Sequence, residues 1–133
     1  MSDKNIEIVK QANALLTDGK YEEFILLCAE DIEWTLLAAD SPTTMKGRDA
    51  IRTFMASSSK DGSEPPKFTV KNILAEGDAV VANGDMTMTG KDGGTMPYAY
   101  CDIYRFEDGK IAKLLTFMNK TQAEISKESS ATA

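Results

Sequence analysis

The sequence predicts an α+β fold in which helices and strands are segregated along the chain. Three segments with apolar residues at helical spacing lie in the first half. Four segments in the second half alternate apolar and polar residues and are joined in pairs by short turns, which is typical of two consecutive antiparallel hairpins. Helices that are segregated from an antiparallel sheet pack together on one of its faces. We therefore expect three helices to cover one face of the sheet.

The three predicted helices are defined by apolar spacing and by local start and stop signals. The first helix is capped by Ser2 or Asp3 and ends at the Asp-Gly pair 18–19. A second short helix over residues 21–28 follows and would pack beside the first. A third helix is predicted over residues 48–56.

Five strands are predicted from alternating residues bounded by turn residues. The first follows the helix pair, and the other four form the two hairpins. The predicted strands cover residues 32–38, 68–75, 79–89, 98–106 and 111–119, and the predicted loops include residues 40–46, 57–67 and 91–97. Residues 122–133 have little to bury and are predicted to be a disordered tail, which leaves 1–121 as one domain.

The last predicted hairpin carries an acidic residue among aromatic residues. The Asp-Gly pair 108–109 is a strong signal for a two-residue type I′ turn. This turn would pair Phe106 with Ile111 and Asp102 with Leu115. The strand period of two then places one set of side chains on a common face: Tyr98, Tyr100, Asp102, Tyr104, Phe106, Leu115, Phe117 and Asn119.

Asp102 is the residue on this face that most needs an explanation. A carboxyl group costs free energy to bury unless a partner or a function uses it. Burial without a cationic partner raises the pKa of a carboxyl group, which would leave Asp102 as a neutral donor or as a general acid-base near pH 7. The alternative is structural, since an Asp near a strand end often reaches solvent or accepts a hydrogen bond from a neighbouring tyrosine.

Composition and charge exclude several classes of function. The 133 residues have a formal net charge of -6 and no cluster of Lys and Arg, so no nucleic-acid partner is expected. The chain has no histidine, which excludes Ser-His-Asp and Cys-His catalysis and zinc sites built on histidine. Cys28 and Cys101 have neither CxxC spacing nor a disulfide framework. No metal or cofactor is expected, and without a long apolar segment we predict a cytoplasmic protein with no membrane partner.

Three segments resemble the landmarks of a known family. They are Cys-Ala-Glu-Asp-Ile-Glu-Trp at 28–34, Lys-Gly-Arg-Asp-Ala-Ile-Arg-Thr-Phe at 46–54 and Tyr-Arg-Phe-Glu-Asp-Gly-Lys-Ile at 104–111. In this order they resemble SnoaL-like, ketosteroid-isomerase-related proteins of the nuclear transport factor 2-like superfamily, and the similarity runs over about residues 4–121. The resemblance implies a cone-shaped, curved antiparallel sheet whose concave face is covered by three helices around an apolar pocket, usually in a homodimer.

The resemblance to these enzymes is partial at the site residues. Asp102 stands where ketosteroid isomerase has a protonated Asp that donates to the oxyanion. Leu36 stands at the position of the isomerase base and Ala12 at that of its helical Tyr, and neither can transfer a proton. Asn119 stands where SnoaL-like cyclases and limonene epoxide hydrolase have an Asp, and an amide cannot take a proton. Steroid isomerisation is therefore not expected.

Three functions remain open on the sequence. The first is a cofactor-independent isomerase, cyclase or lyase that acts on a small apolar carbonyl or polycyclic compound by Asp/Tyr acid-base chemistry. The second is a pocket that binds a small apolar molecule without turnover, and the third is a protein-association module. The candidate catalytic residues are Asp102 and Tyr100, and the candidate ligand-binding residues are Trp34, Leu36, Phe54, Met86, Tyr98, Leu115, Phe117 and Asn119.

The convex face of the final hairpin is predicted to form a homodimer interface. On the predicted register this face is apolar except for Arg105, and a monomer rarely leaves such a sheet face in contact with water. Its predicted members are Ala99, Cys101, Ile103, Ala112, Leu114, Thr116 and Met118.

Overall fold

The computed structural model describes residues 2–37, 42–60, 65–89 and 93–121 as three α-helices and six β-strands. In chain order these are α1 (Ser2–Thr17), α2 (Tyr21–Leu26), β1 (Cys28–Leu37), β2 (Thr43–Lys46), α3 (Arg48–Lys60), β3 (Lys67–Glu76), β4 (Ala79–Thr89), β5 (Thr95–Glu107) and β6 (Lys110–Lys120). The predicted α+β class is confirmed. The predicted tail at 122–133 lies outside the described residues. None of the helices in the described ranges is long and apolar enough to cross a membrane.

The six strands form one sheet in the order β2-β1-β6-β5-β4-β3. All neighbouring strands are antiparallel except β1 and β6, which run parallel. The sheet is therefore mixed, whereas a wholly antiparallel sheet was predicted. Strand β2 was predicted as a loop, because four residues are too few to show an alternation and only Met45 among them is buried.

Two helix boundaries also differ from the prediction. Helix α2 ends at Leu26, and Cys28, predicted to be helical, is the first residue of β1. Helix α3 continues to Lys60, past the predicted end at residue 56. The run of three serines at 57–59 is typical of a loop in sequence. Each serine disfavours a helix by only a few tenths of a kcal/mol relative to alanine, and the packing of the rest of the helix outweighs this preference.

The hydrophobic core lies between the helices and one face of the sheet. Helix α1 buries Val9, Ala12, Asn13 and Leu16, which recur at helical spacing along a single stripe. Trp34 of β1 joins the two layers, since its ring lies 6.1 Å from that of Phe24 and 5.9 Å from that of Phe54. The sheet contributes further buried apolar residues to this cluster, among them Ile32, Val80, Ala82, Tyr104 and Leu114.

The register of the final hairpin is set by its turn and by a bulge. Asp108 and Gly109 have φ values of 52° and 78°, as a type I′ turn requires, and Phe106 pairs with Ile111 as predicted. Arg105 then pairs with Lys113, so that one residue of β6 at position 112 has no partner. A shift of one residue exchanges the two faces of a strand.

The bulge reverses the predicted orientation of β6 beyond the turn. Asp102 pairs with Thr116 and Tyr100 with Met118, so the even-numbered residues of β6 share the inner face with Asp102. The predictions that Leu115, Phe117 and Asn119 lie on this face are wrong. Ala112, Leu114, Thr116 and Met118 were predicted on the outer face, and this is also wrong, since the first three are buried and Met118 faces the helices.

The outer face of the sheet carries a different set of apolar residues from the one predicted. The strand registers place Leu74, Val81, Ile103 and Leu115 in one row across β3, β4, β5 and β6. In the next row Cys101 lies beside Phe117, which is 39% exposed, and Phe117 beside Leu37. Together with Ala99, these residues define what we call the outer apolar face.

We expect Gly84→Ala to destabilise the fold more than any exposed substitution in the sheet. The β3 register shifts between Val70 and Asn72, and there a Cβ on Gly84 would lie 1.9 Å from the carbonyl oxygen of Thr69. Relief of this clash would break the β3–β4 pairing, at a cost of about 2–4 kcal/mol in the free energy of unfolding. Urea unfolding measures the change.

Gly109→Ala is the control for this substitution. Gly109 has a positive φ, but no atom lies within 4 Å of a Cβ added there. Gly109→Ala should therefore lower the free energy of unfolding by the backbone strain alone, about 1–2 kcal/mol. Equal costs at the two positions would contradict the close approach of β3 to Gly84.

Candidate functional site

A cavity of about 280 Å³ lies between the three helices and the inner face of the sheet. Every helix and five of the strands contribute to its wall: β1, β3, β4, β5 and β6. The wall is mostly apolar and contains four methionines, Met55, Met86, Met88 and Met118. Methionine side chains adapt to irregular shapes, so this wall can fit ligands of varied outline.

Six of the residues chosen from the sequence meet in this cavity. Trp34, Leu36, Phe54, Met86, Tyr100 and Asp102 all line it. Tyr98 shares the inner side of β5 with Tyr100 but is not part of the cavity wall. Leu115, Phe117 and Asn119 lie on the opposite side of the sheet because of the bulge at position 112.

Several wall residues were missed by the sequence reasoning. Leu114, Thr116 and Met118 were assigned to the wrong face, for the same reason. Phe68 of β3 packs its ring edge-on against Tyr100, with the ring centroids 5.3 Å apart. Leu16 and Tyr21 come from the helix pair, where the apolar spacing indicated burial but could not indicate a cavity.

Asp102 is a buried carboxyl group with incomplete hydrogen bonding. Its side chain is 6% exposed, and no Lys or Arg is among the described residues of the cavity wall. Oδ2 accepts a hydrogen bond from the Tyr104 hydroxyl at 3.5 Å, whereas Oδ1 is buried without a partner among the described groups. Burial raises the pKa of Asp102 to about 6, while the Thr116 and Tyr104 hydroxyls act in the opposite direction.

Thr116 links Asp102 to the single tryptophan of the chain. The indole N–H of Trp34 donates a hydrogen bond to Thr116 Oγ1 at 3.0 Å. Thr116 stands directly opposite Asp102 in the β5–β6 register. Since the Thr116 oxygen accepts from Trp34, its own hydrogen is free to point to Asp102, which favours the ionised carboxylate.

Tyr100 supplies a second polar group without a partner. Its side chain is 3% exposed, and its hydroxyl oxygen has no hydrogen-bond partner within the described parts of the chain. Burial, and then the nearby charge of Asp102, raise the pKa of Tyr100 to about 12. Tyr100 is therefore a hydrogen-bond donor at neutral pH.

The cavity thus combines an apolar wall with two polar atoms that lack partners, Tyr100 Oη and Asp102 Oδ1. Buried polar atoms are nearly always hydrogen-bonded in folded proteins, so an unpaired set beside a cavity marks a place where a bound group could complete it. A carboxyl group with a pKa of about 6 is suited to give or take a proton near neutral pH. Among the described residues, no three His, Cys, Asp or Glu side chains are placed to hold a metal ion.

Comparison with known proteins identifies what this chain is similar to. Residues 9–114 match the model of the SnoaL-like domain family. A search of curated proteins found no match.

Solved structures resemble the chain over nearly its whole length. An NTF2-like protein from Burkholderia xenovorans LB400 has a TM-score of 0.73 at 20% identity, covering 90% of this chain and 92% of its own. An LEH-like epoxide hydrolase of M. tuberculosis has a TM-score of 0.76 at 14% identity, covering 89% and 84%. A phenazine biosynthesis-related protein from Pseudomonas aeruginosa has a TM-score of 0.75 at 20% identity, covering 88% and 76%. At these identities the likeness shows the fold alone.

We expect the stability difference between the wild-type protein and the Asp102→Asn variant to depend on pH. Because the pKa of Asp102 rises from 3.8 to about 6 on folding, the folded state binds the proton more tightly than the unfolded state. The contribution of Asp102 to stability is then greatest below about pH 4 and is lost as the pH rises to about 6. The loss is on the order of 2–3 kcal/mol, since one pKa unit is worth about 1.4 kcal/mol.

Chemical unfolding of the two proteins from pH 4 to pH 7 measures this difference, with Asp31→Asn at an exposed carboxyl group as the control. Wild type and Asp102→Asn with parallel pH dependences would show that Asp102 is not a buried, proton-retaining group.

Proposed function

The chain belongs to the SnoaL-like domain family, and we propose that its cavity binds a small, largely apolar carbonyl compound and moves a proton on it through Asp102. The observation that carries this proposal is the pair of unpaired polar atoms, Tyr100 Oη and Asp102 Oδ1, in an apolar cavity. A carbonyl oxygen would accept from Tyr100, and the carbon next to it would lie within reach of the carboxyl group.

The size of the cavity limits the ligand. An engineered cavity of about 150 Å³ in another protein holds one benzene molecule. At about 280 Å³ this cavity has nearly twice that volume. We therefore propose a ligand that has one or two rings, or a monoterpenoid of similar size, with one polar end.

The proposed reaction uses the two polar groups in separate roles. Ionised Asp102 takes a proton from the carbon beside the carbonyl group, and the electron pair moves onto the carbonyl oxygen. Tyr100, which stays protonated, donates to the oxygen as this negative charge develops. Asp102 then returns the proton to another carbon of the conjugated system, so that the double bond changes position without net oxidation or reduction.

A second candidate function is binding without turnover. Leu36 lines the cavity where the resemblance places the isomerase base, and Asp102 is the one carboxyl group among the described wall residues. A cavity with a single acid-base group suits capture of an apolar metabolite as well as catalysis. The two candidates share the ligand class and differ in the effect of Asp102→Asn.

We expect Phe68→Ala to weaken ligand binding and Phe117→Ala to leave it unchanged. Phe68 lines the cavity beside Tyr100, whereas Phe117 lies on the outer apolar face. Loss of one aromatic contact should raise Kd on the order of 10-fold or more. A thermal-shift screen of small aromatic and terpenoid ketones gives the measurement, since ligand at 100 times Kd stabilises the folded state by about 2.7 kcal/mol.

Asp102→Asn then separates catalysis from binding. If Asp102 is catalytic, Asp102→Asn should lower the turnover of a bound ketone on the order of 10²-fold while its affinity is kept. Turnover is measured as the exchange of the acidic C–H of the ketone for deuterium in D₂O. If wild type binds the ketone but exchanges no proton, binding alone is supported. If no apolar ligand shifts the unfolding temperature, the proposed function is wrong.

We further propose that the outer apolar face joins two copies of the chain. Leu74 is 68% exposed and Phe117 39% exposed on this face, and the residues directly beside them in the sheet, Val81, Cys101 and Leu37, are apolar. Contiguous apolar sheet surface of this kind is typical of an interface between subunits.

We expect Leu115→Glu to dissociate this dimer. The substitution places a charge at the centre of the outer apolar face, where Leu115 lies beside Ile103. Leu26→Glu is the matched control, since Leu26 is 55% exposed on α2, away from the sheet. Sedimentation at micromolar concentration should give a dimer for wild type and Leu26→Glu and a monomer for Leu115→Glu. A monomeric wild type would contradict the proposal.

A further inference from the structure

Asn13 is a buried polar residue behind the cavity wall. It lies on the buried stripe of α1, is 5% exposed, and is not itself part of the wall. Its Oδ1 accepts a hydrogen bond from the Tyr104 hydroxyl at 3.5 Å, and its Nδ2 is buried without a partner in the described structure. An amide in the apolar stripe of a helix costs stability unless it has a task there.

Tyr104 stands between Asn13 and Asp102 with one hydrogen to give. Its hydroxyl oxygen lies 3.5 Å from Asn13 Oδ1 and 3.5 Å from Asp102 Oδ2. A phenol has a single O–H, so it cannot donate fully to both oxygens. Asn13 and Asp102 therefore compete for the same hydrogen.

The outcome of this competition depends on the proton of Asp102. If Asp102 is neutral with its proton on Oδ2, it donates to Tyr104, and Tyr104 donates onward to Asn13 Oδ1. If Asp102 is ionised, it needs the Tyr104 hydrogen, and Asn13 Oδ1 loses its donor. The Tyr104 hydroxyl lies at the same distance from both oxygens, so the two hydrogen-bond arrangements are open to the same side-chain positions.

We propose that Asn13 is a positioning residue that draws the Tyr104 hydrogen away from Asp102 and thereby favours the protonated form of the cavity carboxyl group. Asn13 acts through Tyr104 and does not touch the ligand. The effect of Asn13 on the protonation of Asp102 does not depend on the proposed function. Only a consequence of Asn13 for turnover rests on that function.

The described side chains of the cavity wall around Asp102 carry no charge. Among the described wall residues, the other titratable groups are Tyr21 of α2 and Tyr100 and Tyr104 of β5. Thr116 of β6 and Asn13 of α1 are neutral, and the charged residues of α1 are exposed. The Thr116 hydroxyl lowers the pKa of Asp102, as the Tyr104 hydroxyl does, and it is left unchanged in every Asn13 variant. No charged side chain of the described wall therefore competes with Asn13 for control of Asp102.

Substitutions at Asn13 should move the titration of Asp102 in opposite directions. Asn13→Leu removes the competing acceptor, so Tyr104 donates to Asp102 alone, and the midpoint should fall by about half a pH unit or more. Asn13→Asp keeps the acceptor and adds negative charge, so the midpoint should rise. A purely structural role for Asn13 would not lower the midpoint in Asn13→Leu, whereas the rise in Asn13→Asp follows from its charge in either case.

The midpoint is measured from the Asp102 carboxyl carbon by NMR, with the signal assigned by its loss in Asp102→Asn. Fluorescence of Trp34 gives a second readout through Thr116. Val9→Ala is the packing control, since Val9 is buried on the same stripe and has no polar side-chain group. Asn13→Ala, which adds no bulk, gives the same test as Asn13→Leu if the larger side chain prevents folding.

Tyr104→Phe tests whether Asn13 acts through the phenol. It should raise the Asp102 midpoint, because the Tyr104 hydrogen bond holds that pKa down, and it should abolish the effect of Asn13→Leu. An unchanged or raised midpoint in Asn13→Leu, or a full effect of that variant in the Tyr104→Phe background, would overturn the proposal. If the midpoints move as expected but no ligand binds, Asn13 keeps this role and the proposed function fails.

Discussion

The unpaired residue Ala112 in β6 determines which side chains meet in the cavity. Because the strand period is two, this one extra residue turns Thr116 toward the helices and Phe117 away from them. Thr116 then stands opposite Asp102 and within hydrogen-bond distance of Trp34. The polar groups of the cavity and the outer apolar face both depend on the position of this bulge.

Asp102 lowers the stability of the fold above its pKa, and the polar residues around it limit that loss. Buried carboxylates without a cation are costly because water solvates the charge better than an apolar wall does. The Thr116 and Tyr104 hydroxyls stabilise the carboxylate and so replace part of the lost water contacts, while Asp102 Oδ1 stays unpaired. A group held in such a state is typical of a site where binding or proton transfer supplies the missing contact.

The sequence predicted the elements better than it predicted their faces. The helices, the I′ turn and the position of Asp102 among tyrosines follow from local patterns, which the structure keeps. The bulge was missed because turn and alternation rules assume an unbroken ladder, although two adjacent apolar residues, Ile111 and Ala112, do interrupt the alternation. The burial of Asn13 was not predicted because asparagine is polar. Its spacing from Val9, Ala12 and Leu16 nevertheless places it on the buried stripe of α1.

The parallel pairing of β1 with β6 also affects the order in which the chain can fold. Strand β6 is inserted between β1 and β5, and its contact with β1 joins Cys28 to Ile111, far apart in sequence. Such distant pairing must close a long loop before it gains any stabilisation, which slows folding. On the ribosome, β1 has no sheet neighbour on that side until the last described strand is made. The inner edge of β1 therefore stays open until synthesis reaches β6, although α1 can already pack against β3 and β4.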